Sequence, residues 1–279
     1  MTKLFKTRDG KWVTDLDVAA ALHAVGAAEA KVLYMHTELS FGTPNPGLGR
    51  SELLAHLFEI VMGLKVPTLC VPTFTFSFCN GEDYDVKRSR SRMGVFNEYI
   101  RQLQGTLRSV DPLMSVALTG EDLDLVSNLG HRSIGADSTF DKLHRREGAK
   151  FLFFGASPSK CFTYSHYVEE REGVYYRYNR DFTGTIVDSE GRREDTYTLF
   201  VRYRNVTPSS EGILEKEMLR TGILRCAPCG DTVISTVDEP AAYETIAGQL
   251  RADINCYLAK PYPGDHLDRE FVARNMVAL

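Results

Sequence analysis

Short apolar segments alternate with amphipathic ones in the first part of this chain, and this alternation constrains the fold more than any other feature. Residues 31–35 form a compact apolar run, residues 51–64 carry apolar side chains at a helical period, and residues 68–78 are rich in β-branched and aromatic side chains. The order strand, helix, strand predicts a βαβ unit, whose two strands run parallel in one sheet.

The rest of the chain extends this pattern and then departs from it. Further helices are predicted over 14–25, 93–103, 121–127, 211–220 and 241–258, and a buried strand over 150–154. After residue 173 the sequence becomes alternating and aromatic, with a turn at 189–191, which predicts an antiparallel hairpin. The predicted fold is α/β, a mixed central sheet flanked by helices with an antiparallel hairpin insertion in the C-terminal half, forming a single domain over 1–279.

Charge and hydropathy exclude several classes of protein. The 279 residues carry a formal net charge of -4, so the chain lacks the basic field with which proteins capture nucleic acid. No segment approaches the roughly 20 apolar residues that span a membrane. Residues 1–17 contain several charges and no apolar run of a secretory signal. We therefore expect a cytoplasmic protein with neither a nucleic-acid nor a membrane partner.

Six cysteines are scattered through the chain without the dense spacing of a disulfide scaffold. Cys226 and Cys229 have the spacing of a zinc half-site or a redox pair, but the sequence offers no second pair of ligands. We expect a coincidental pair of reduced thiols and no bound metal, with redox or metal use as the remaining interpretations.

The segment that follows the strand at 150–154 carries the strongest chemical signal. It places Thr163, His166 and Glu169 at three-residue steps, which puts them on one face if the segment is helical. A helix after a strand end also projects its first turn into the ligand crevice typical of α/β sheets. A half-buried histidine satisfied by a neighbouring carboxylate explains the same spacing, so the residues alone leave both interpretations open.

This segment resembles the T-x-x-H-x-x-E signature of the aminoglycoside 3-N-acetyltransferase family. Other motifs of that family occur in the same order: its V-H-S-S-L strand and loop at 33–42, its P-T-F strand at 72–75, its G-x-L-x-E-x-F-R and R-S-x-H-P-x-x-S pair at 93–99 and 108–115, and its G-x-x-S-P-F-x-x-L segment at 135–143. The resemblance runs from about residue 14 to residue 250.

The resemblance implies an enzyme that moves an acetyl or related acyl group from acyl-CoA to an amine of an aminoglycoside, an amino sugar or a similar small polar molecule. It implies direct transfer, with His166 as general base and no acyl-enzyme. Glu169 would hold the imidazole or would be a charge on the helix surface, and the Thr163 hydroxyl would cap the helix or touch the thioester carbonyl. The implied contacts of acetyl-CoA, the cosubstrate, are Ser40, Arg108, Ser109 and Ser138.

Two departures from the family pattern concern the acceptor and the acyl donor, and they leave open a donor other than acetyl-CoA. Asp111 stands where the family has a histidine, and Glu38 stands where a serine is usual. Both carboxylates, together with Asp85 from the acidic run 82–85, are candidates for binding a cationic amine. Loop hydrogen bonds for Glu38 and Asp111, and a solvated loop for the acidic run, are the alternatives.

Two other functions stay open on the sequence. Cys161 and His166 are close enough along the chain to act as the nucleophile and base of an acyl-enzyme hydrolase. A non-catalytic member of the family that binds CoA or another ligand would fit the histidine lost at position 111. The tyrosines of the predicted hairpin suit sheet packing, sugar stacking or a homodimer surface.

Overall fold

A seven-stranded mixed sheet forms the centre of the protein in the computed structural model, which describes residues 1–264 and 268. The strands in chain order are β1 (Lys3–Lys6), β2 (Trp12–Thr14), β3 (Val32–Thr37), β4 (Thr43–Pro44), β5 (Thr68–Pro72), β6 (Tyr84–Asp85), β7 (Leu107–Arg108), β8 (Val116–Gly120), β9 (Ala149–Phe154), β10 (Arg177–Asp188), β11 (Gly191–Arg202), β12 (Arg225–Cys229) and β13 (Thr232–Asp238). The helices are α1 (Asp15–Ala24), α2 (Arg50–Met62), α3 (Val95–Arg101), α4 (Thr139–His144), α5 (Pro158–Cys161), α6 (Tyr164–Arg171), α7 (Ile213–Arg220) and α8 (Glu239–Ala252).

The central sheet has the strand order β12-β13-β9-β3-β5-β8-β7. Strand β3 pairs in parallel with both β5 and β9, and α2 connects β3 to β5. Antiparallel pairings of β13 with β9 and of β8 with β5 extend the sheet on both sides. The predicted βαβ unit and the α/β class with a mixed sheet are therefore confirmed.

Both faces of the central sheet are covered, as strand β3 shows. Val32 and Tyr34 point into one hydrophobic cluster, whereas Leu33 and Met35 point into the other. Helices α1, α2 and α3 pack on the second face, and α4, α6, α7, α8 and the hairpin pack on the first. A strand that is buried on both sides needs the continuous apolar run that the sequence provides.

The predicted antiparallel hairpin is present as β10 and β11, which are longer and more continuous than expected. The two strands pair along their whole length around a two-residue turn between Asp188 and Gly191. This register places Arg177 directly opposite Arg202 at the far end of the ladder. The hairpin forms a separate sheet with the short strand β6.

Several predicted boundaries are wrong for local reasons. The strand expected over 68–78 ends at Pro72, and the chain then arches through Phe76, whose φ of 52° is incompatible with a strand. The helix expected over 121–127 is a single 3₁₀ turn over Leu123–Leu125. By contrast, Thr14 and Asp17 form a reciprocal capping box at the start of α1.

Cys226 and Cys229 lie on opposite faces of β12. Side chains alternate between the two faces of a strand, so residues three positions apart point in opposite directions. Cys226 is exposed and Cys229 is buried, so this strand does not bring the two thiols together. Within residues 1–264 and 268, no three metal-ligating side chains cluster. None of the helices in that part of the chain is long and apolar enough to cross a membrane.

Candidate active site

A cleft of about 360 Å³ opens at the carboxyl ends of the parallel strands. His36 and Thr37 at the end of β3 line it, as does Pro72 at the end of β5. The segment after β9 and residues at the open end of the β10–β11 hairpin complete the wall. This is the position at which open α/β sheets bind ligands, and the volume suits a small molecule.

The chain leaves β9 through a turn that only glycine accommodates. Gly155 has a φ of 72°, and a Cβ at this position would lie 2.2 Å from the carbonyl oxygen of Glu38. The chain then forms α5 and begins α6 after Thr163. Because α6 is helical, Thr163, His166 and Glu169 all face the cleft, as their three-residue spacing predicted.

His166 is held by a buried carboxylate. Its Nδ1 lies 2.6 Å from Glu169 Oε2, and the hydroxyl of Tyr176 donates to Glu169 Oε1 over 2.7 Å. Arg177 Nε lies 2.9 Å from Glu169 Oε2, an ion pair without the alignment of a hydrogen bond. Helix α6 and the hairpin together therefore fix the orientation of the imidazole.

The charges around His166 keep its imidazole neutral. Burial lowers its pKa, the Arg177 cation lowers it further, and Glu169 opposes them only in part. Burial alone would raise the pKa of Glu169, but Arg177, His166 and the hydrogen bonds to Glu169 outweigh it and hold that pKa at about 2. At neutral pH the pair is a neutral histidine beside an ionised glutamate.

The protonation states assign the tautomer of His166. An ionised carboxylate only accepts hydrogen bonds, so the 2.6 Å contact requires a proton on Nδ1. Arg177 Nη2, 3.0 Å from Nδ1, then approaches as a second donor and further disfavours an imidazolium. The lone pair is left on Nε2, as proton abstraction requires.

Two cleft residues escaped the sequence analysis because the hairpin supplies them from a distance along the chain. Arg177 is buried against Glu169, and Arg202 lies beside it as the opposite member of the ladder. Burial and the neighbouring Arg177 lower the pKa of Arg202. The sequence contains a signal for this pair. If both strands are taken as continuous, counting outward from the turn at 189–191 places Arg177 opposite Arg202.

His36 is a second histidine in the cleft wall, and the sequence analysis gave it no role. It is 3% exposed, and its ring stacks on Phe153 with centroids 5.5 Å apart. Burial lowers its pKa to about 3, so the imidazole stays neutral. Its Nε2 has no hydrogen-bond partner within the described residues.

Thr163 and Cys161 also line the cleft. The Thr163 hydroxyl donates to the Cys161 carbonyl over 3.2 Å and does not cap α6, although Thr163 occupies the N-cap position. The Cys161 thiol donates to the Ser157 carbonyl. Burial, together with the nearby carboxylates of Glu38 and Glu215, raises the pKa of Cys161 to about 12. The thiol is therefore protonated at neutral pH.

Four of the predicted ligand contacts have hydrogen-bond partners within the protein and do not line the cleft. Arg108 donates to the carbonyls of Thr73 and Ser89 at 2.7 and 2.6 Å. Ser109 is fully buried and accepts from a backbone N–H, Ser138 caps α4, and Asp111 accepts from two backbone N–H groups and from Ser133. Their internal hydrogen bonds account for these side chains, so we leave them out of the proposed ligand contacts.

The remaining predicted contacts lie outside the cleft wall. Ser40 and Glu38 are exposed on the loop after β3, where the Ser40 hydroxyl donates to the Gly155 carbonyl. Asp85 accepts from the backbone of Lys87 and Arg88. Its acidic neighbours form ion pairs, Glu82 with Arg92 and Asp83 with Arg192, and these cations offset the field expected of the run.

A sequence model of the aminoglycoside 3-N-acetyltransferase family matches residues 61–250, more than half of the chain. The chain belongs to this family. It is accordingly an acyltransferase. No curated protein sequence matches the chain significantly.

Solved structures share the fold at low sequence identity. AAC-IIIb in a binary complex with CoASH has a TM-score of 0.73 at 20% identity, covering 90% of this chain and 99% of that one. YokD from Bacillus subtilis has 0.72 at 15% identity, covering 91% and 96%. AAC-VIa bound to sisomicin has 0.71 at 17% identity, covering 85% and 97%.

Proposed function

We propose that this protein transfers an acyl group directly from acyl-CoA to the primary amine of a small polar acceptor, with His166 as the general base. The proposed acceptors include aminoglycosides and amino sugars, because the family is named for aminoglycoside acetylation and AAC-VIa binds sisomicin. The observation that carries the proposal is the neutral His166, oriented by an ionised Glu169 in the wall of the cleft.

The proposed chemistry follows from the tautomer. Acyl-CoA supplies an activated acyl group as a thioester. His166 Nε2 takes a proton from the amine as the nitrogen bonds to the acyl carbon, and the bond from that carbon to sulfur breaks. The proton on His166 then passes to the departing thiolate. Glu169 stays ionised throughout and stabilises the transient imidazolium through Nδ1, while Tyr176 and Arg177 keep the carboxylate in place.

The rim of the cleft offers cations for the phosphates of CoA. Lys160 and Arg92 line the cleft, and Arg92 also lines a neighbouring shallow cavity with Arg90. Guanidinium groups suit phosphate oxygens geometrically. We propose Arg92 and Arg90 as phosphate contacts, in place of Ser40, Arg108, Ser109 and Ser138, which the family resemblance implied.

The acyl-enzyme alternative finds no support in the geometry. A nucleophilic cysteine needs a lowered pKa, but burial and two carboxylates act in the opposite direction on Cys161. The non-catalytic alternative rested on Asp111. That residue makes internal hydrogen bonds outside the cleft, whereas the His166 network is complete.

The test is CoA release by the purified protein with acetyl-CoA and a panel of aminoglycosides, amino sugars and simple amines. We expect release only when an acceptor amine is present. Intact mass after acetyl-CoA alone should show unmodified protein, because no acyl-enzyme forms. An acetylated protein that an amine then discharges would contradict direct transfer, and no release with any acyl-CoA and amine would contradict the proposed function.

A further inference from the structure

The charge balance of the cleft is unusual for a site that binds a polycation. Among the described residues that line it, Arg92, Lys160, Arg177 and Arg202 are cationic and Glu169 is the one carboxylate. Glu169 is already engaged with His166, Tyr176 and Arg177. The carboxylate of Glu38 lies exposed on the loop after β3, outside the wall. A polycationic acceptor would therefore meet net positive charge beside the base.

Arg177 and Arg202 form the most unusual part of this arrangement. They are directly opposed in the β10–β11 ladder, and both line the cleft. Like charges at opposed positions destabilise a sheet unless another group compensates them. Glu169 compensates Arg177, whose side chain is 3% exposed. Within residues 1–264 and 268, the Arg202 side chain has neither an ion pair nor a hydrogen bond to compensate its half-buried guanidinium.

We infer that Arg202, assisted by Arg177, forms a subsite for an anionic group of a reactant beside His166, and that the acceptor is an amine bearing a carboxylate or phosphate. This rests on the proposed function and names its substrate class: amino acids, acidic amino sugars or phosphorylated amino sugars. A guanidinium binds such groups through two parallel hydrogen bonds, and the anion would neutralise the excess charge of the arginine pair.

The location of the subsite separates this anion from the phosphates of CoA. Arg177 Nη2 lies 3.0 Å from His166 Nδ1, and the charge of Arg202 also acts on that imidazole. An anion held there is close to the reacting amine and thioester, whereas the whole pantetheine arm separates the CoA phosphates from the sulfur. A carboxylate on the acyl chain would have the same chemistry, so the experiment compares both sources.

The first arm compares acceptors that differ by one anionic group: glucosamine 6-phosphate with glucosamine, and an amino acid with its amide, all with acetyl-CoA. The second arm compares succinyl-CoA with acetyl-CoA on a neutral amine. We expect kcat/KM to be about 10- to 100-fold higher for the anionic acceptors, the size expected of hydrogen bonds to a charged group. Preference for succinyl-CoA alone would place the anion on the acyl chain and overturn the assignment to the acceptor.

Arg202→Gln tests the residue itself, with the exposed Arg50→Gln as a charge-matched control. We expect Arg202→Gln to abolish the preference for anionic acceptors, measured as the ratio of kcat/KM for glucosamine 6-phosphate to kcat/KM for glucosamine, and Arg202→Lys to restore part of that ratio. Without ligand, its Tm should equal or exceed that of the wild type, because a repulsion is removed. An unchanged preference in Arg202→Gln, or a preference for gentamicin over every anionic amine, would overturn the inference and leave His166-dependent transfer intact.

A binding measurement keeps the inference testable if no amine is turned over. Glucosamine 6-phosphate should raise the Tm of the wild type and of Arg50→Gln, and should not raise that of Arg202→Gln. Equal shifts in all three proteins, or none in any of them, would overturn the subsite.

Discussion

Replacing Glu169 with glutamine tests the contacts that orient His166, because it exchanges one carboxylate oxygen for an amide NH2 group. The substitution keeps the shape of the side chain and removes its charge, so Arg177 loses the carboxylate with which it pairs. A glutamine amide can also donate to His166 Nδ1. That hydrogen bond would favour the tautomer in which Nε2 carries the proton. In this tautomer Nε2 has no free lone pair and cannot take a proton from the amine.

The cost to stability can be worked from the pKa of Glu169. A drop from 4.5 to about 2, at 1.36 kcal/mol per pKa unit, corresponds to about 3 kcal/mol of stabilisation by the ionised form. Because the folded-state pKa is depressed, this stabilisation is present above pH 4.5 and is lost as the pH falls towards 2. Glu169→Gln should be less stable by about 3 kcal/mol at neutral pH and should lack this loss between pH 4.5 and 2.

Turnover should fall by about 10²- to 10⁴-fold, since the equivalent carboxylate-to-amide change in a Ser-His-Asp triad costs about 10⁴. The matched control is Glu170→Gln on the next residue, whose carboxylate pairs with Arg132. We expect this control to keep turnover within about threefold, because Glu170 does not line the cleft. Urea denaturation and CoA release measure the two effects. Wild-type turnover and stability in Glu169→Gln would refute the reasoning.

Three further outcomes follow from the same contacts. Arg177→Met should raise the pKa of His166, because the guanidinium of Arg177 lowers it. The acidic limb of the profile of kcat against pH should therefore move from below about 6.5 to a higher pH. An acidic limb that stays in place or moves to a lower pH would contradict this effect of Arg177 on His166. Cys161→Ser should keep full turnover, since the thiol is protonated at neutral pH; a loss of 10²-fold or more would revive the acyl-enzyme. Asp111→Ala should cost about 1–3 kcal/mol of stability, measured by urea denaturation, because it removes the acceptor of three internal hydrogen bonds, and it should leave the acceptor KM unchanged; a raised KM at unchanged stability would return Asp111 to substrate binding.

The parts of the fold that the sequence predicted are those governed by local periodicity. The βαβ unit follows from an apolar run, a helical period and a second apolar run, and α6 presents His166 and Glu169 on one face because helical spacing is fixed. The strand predicted over 68–78 is too long: it ends at Pro72, and Phe76 beyond it has a positive φ that its side chain does not indicate.

The site was harder to predict where it depends on long-range register. Arg177 and Arg202 meet only because the hairpin pairs without interruption from Asp188 back to Arg177. Conversely, Ser109, Asp111 and Ser138 occur in family-like motifs, but their polar atoms satisfy backbone groups. A motif records which residues recur together and does not by itself separate ligand contacts from the hydrogen bonds that shape a loop.

The central claim is that His166 is the general base, and kcat of His166→Ala against the wild type tests it most directly. The assay is CoA release at saturating acyl-CoA and acceptor, with His131→Ala as the control, since that histidine is exposed and pairs with Asp195. We predict a fall of about 10²-fold or more in His166→Ala, partial recovery with added imidazole, and unchanged kcat in the control. A His166→Ala variant with wild-type kcat would contradict the account.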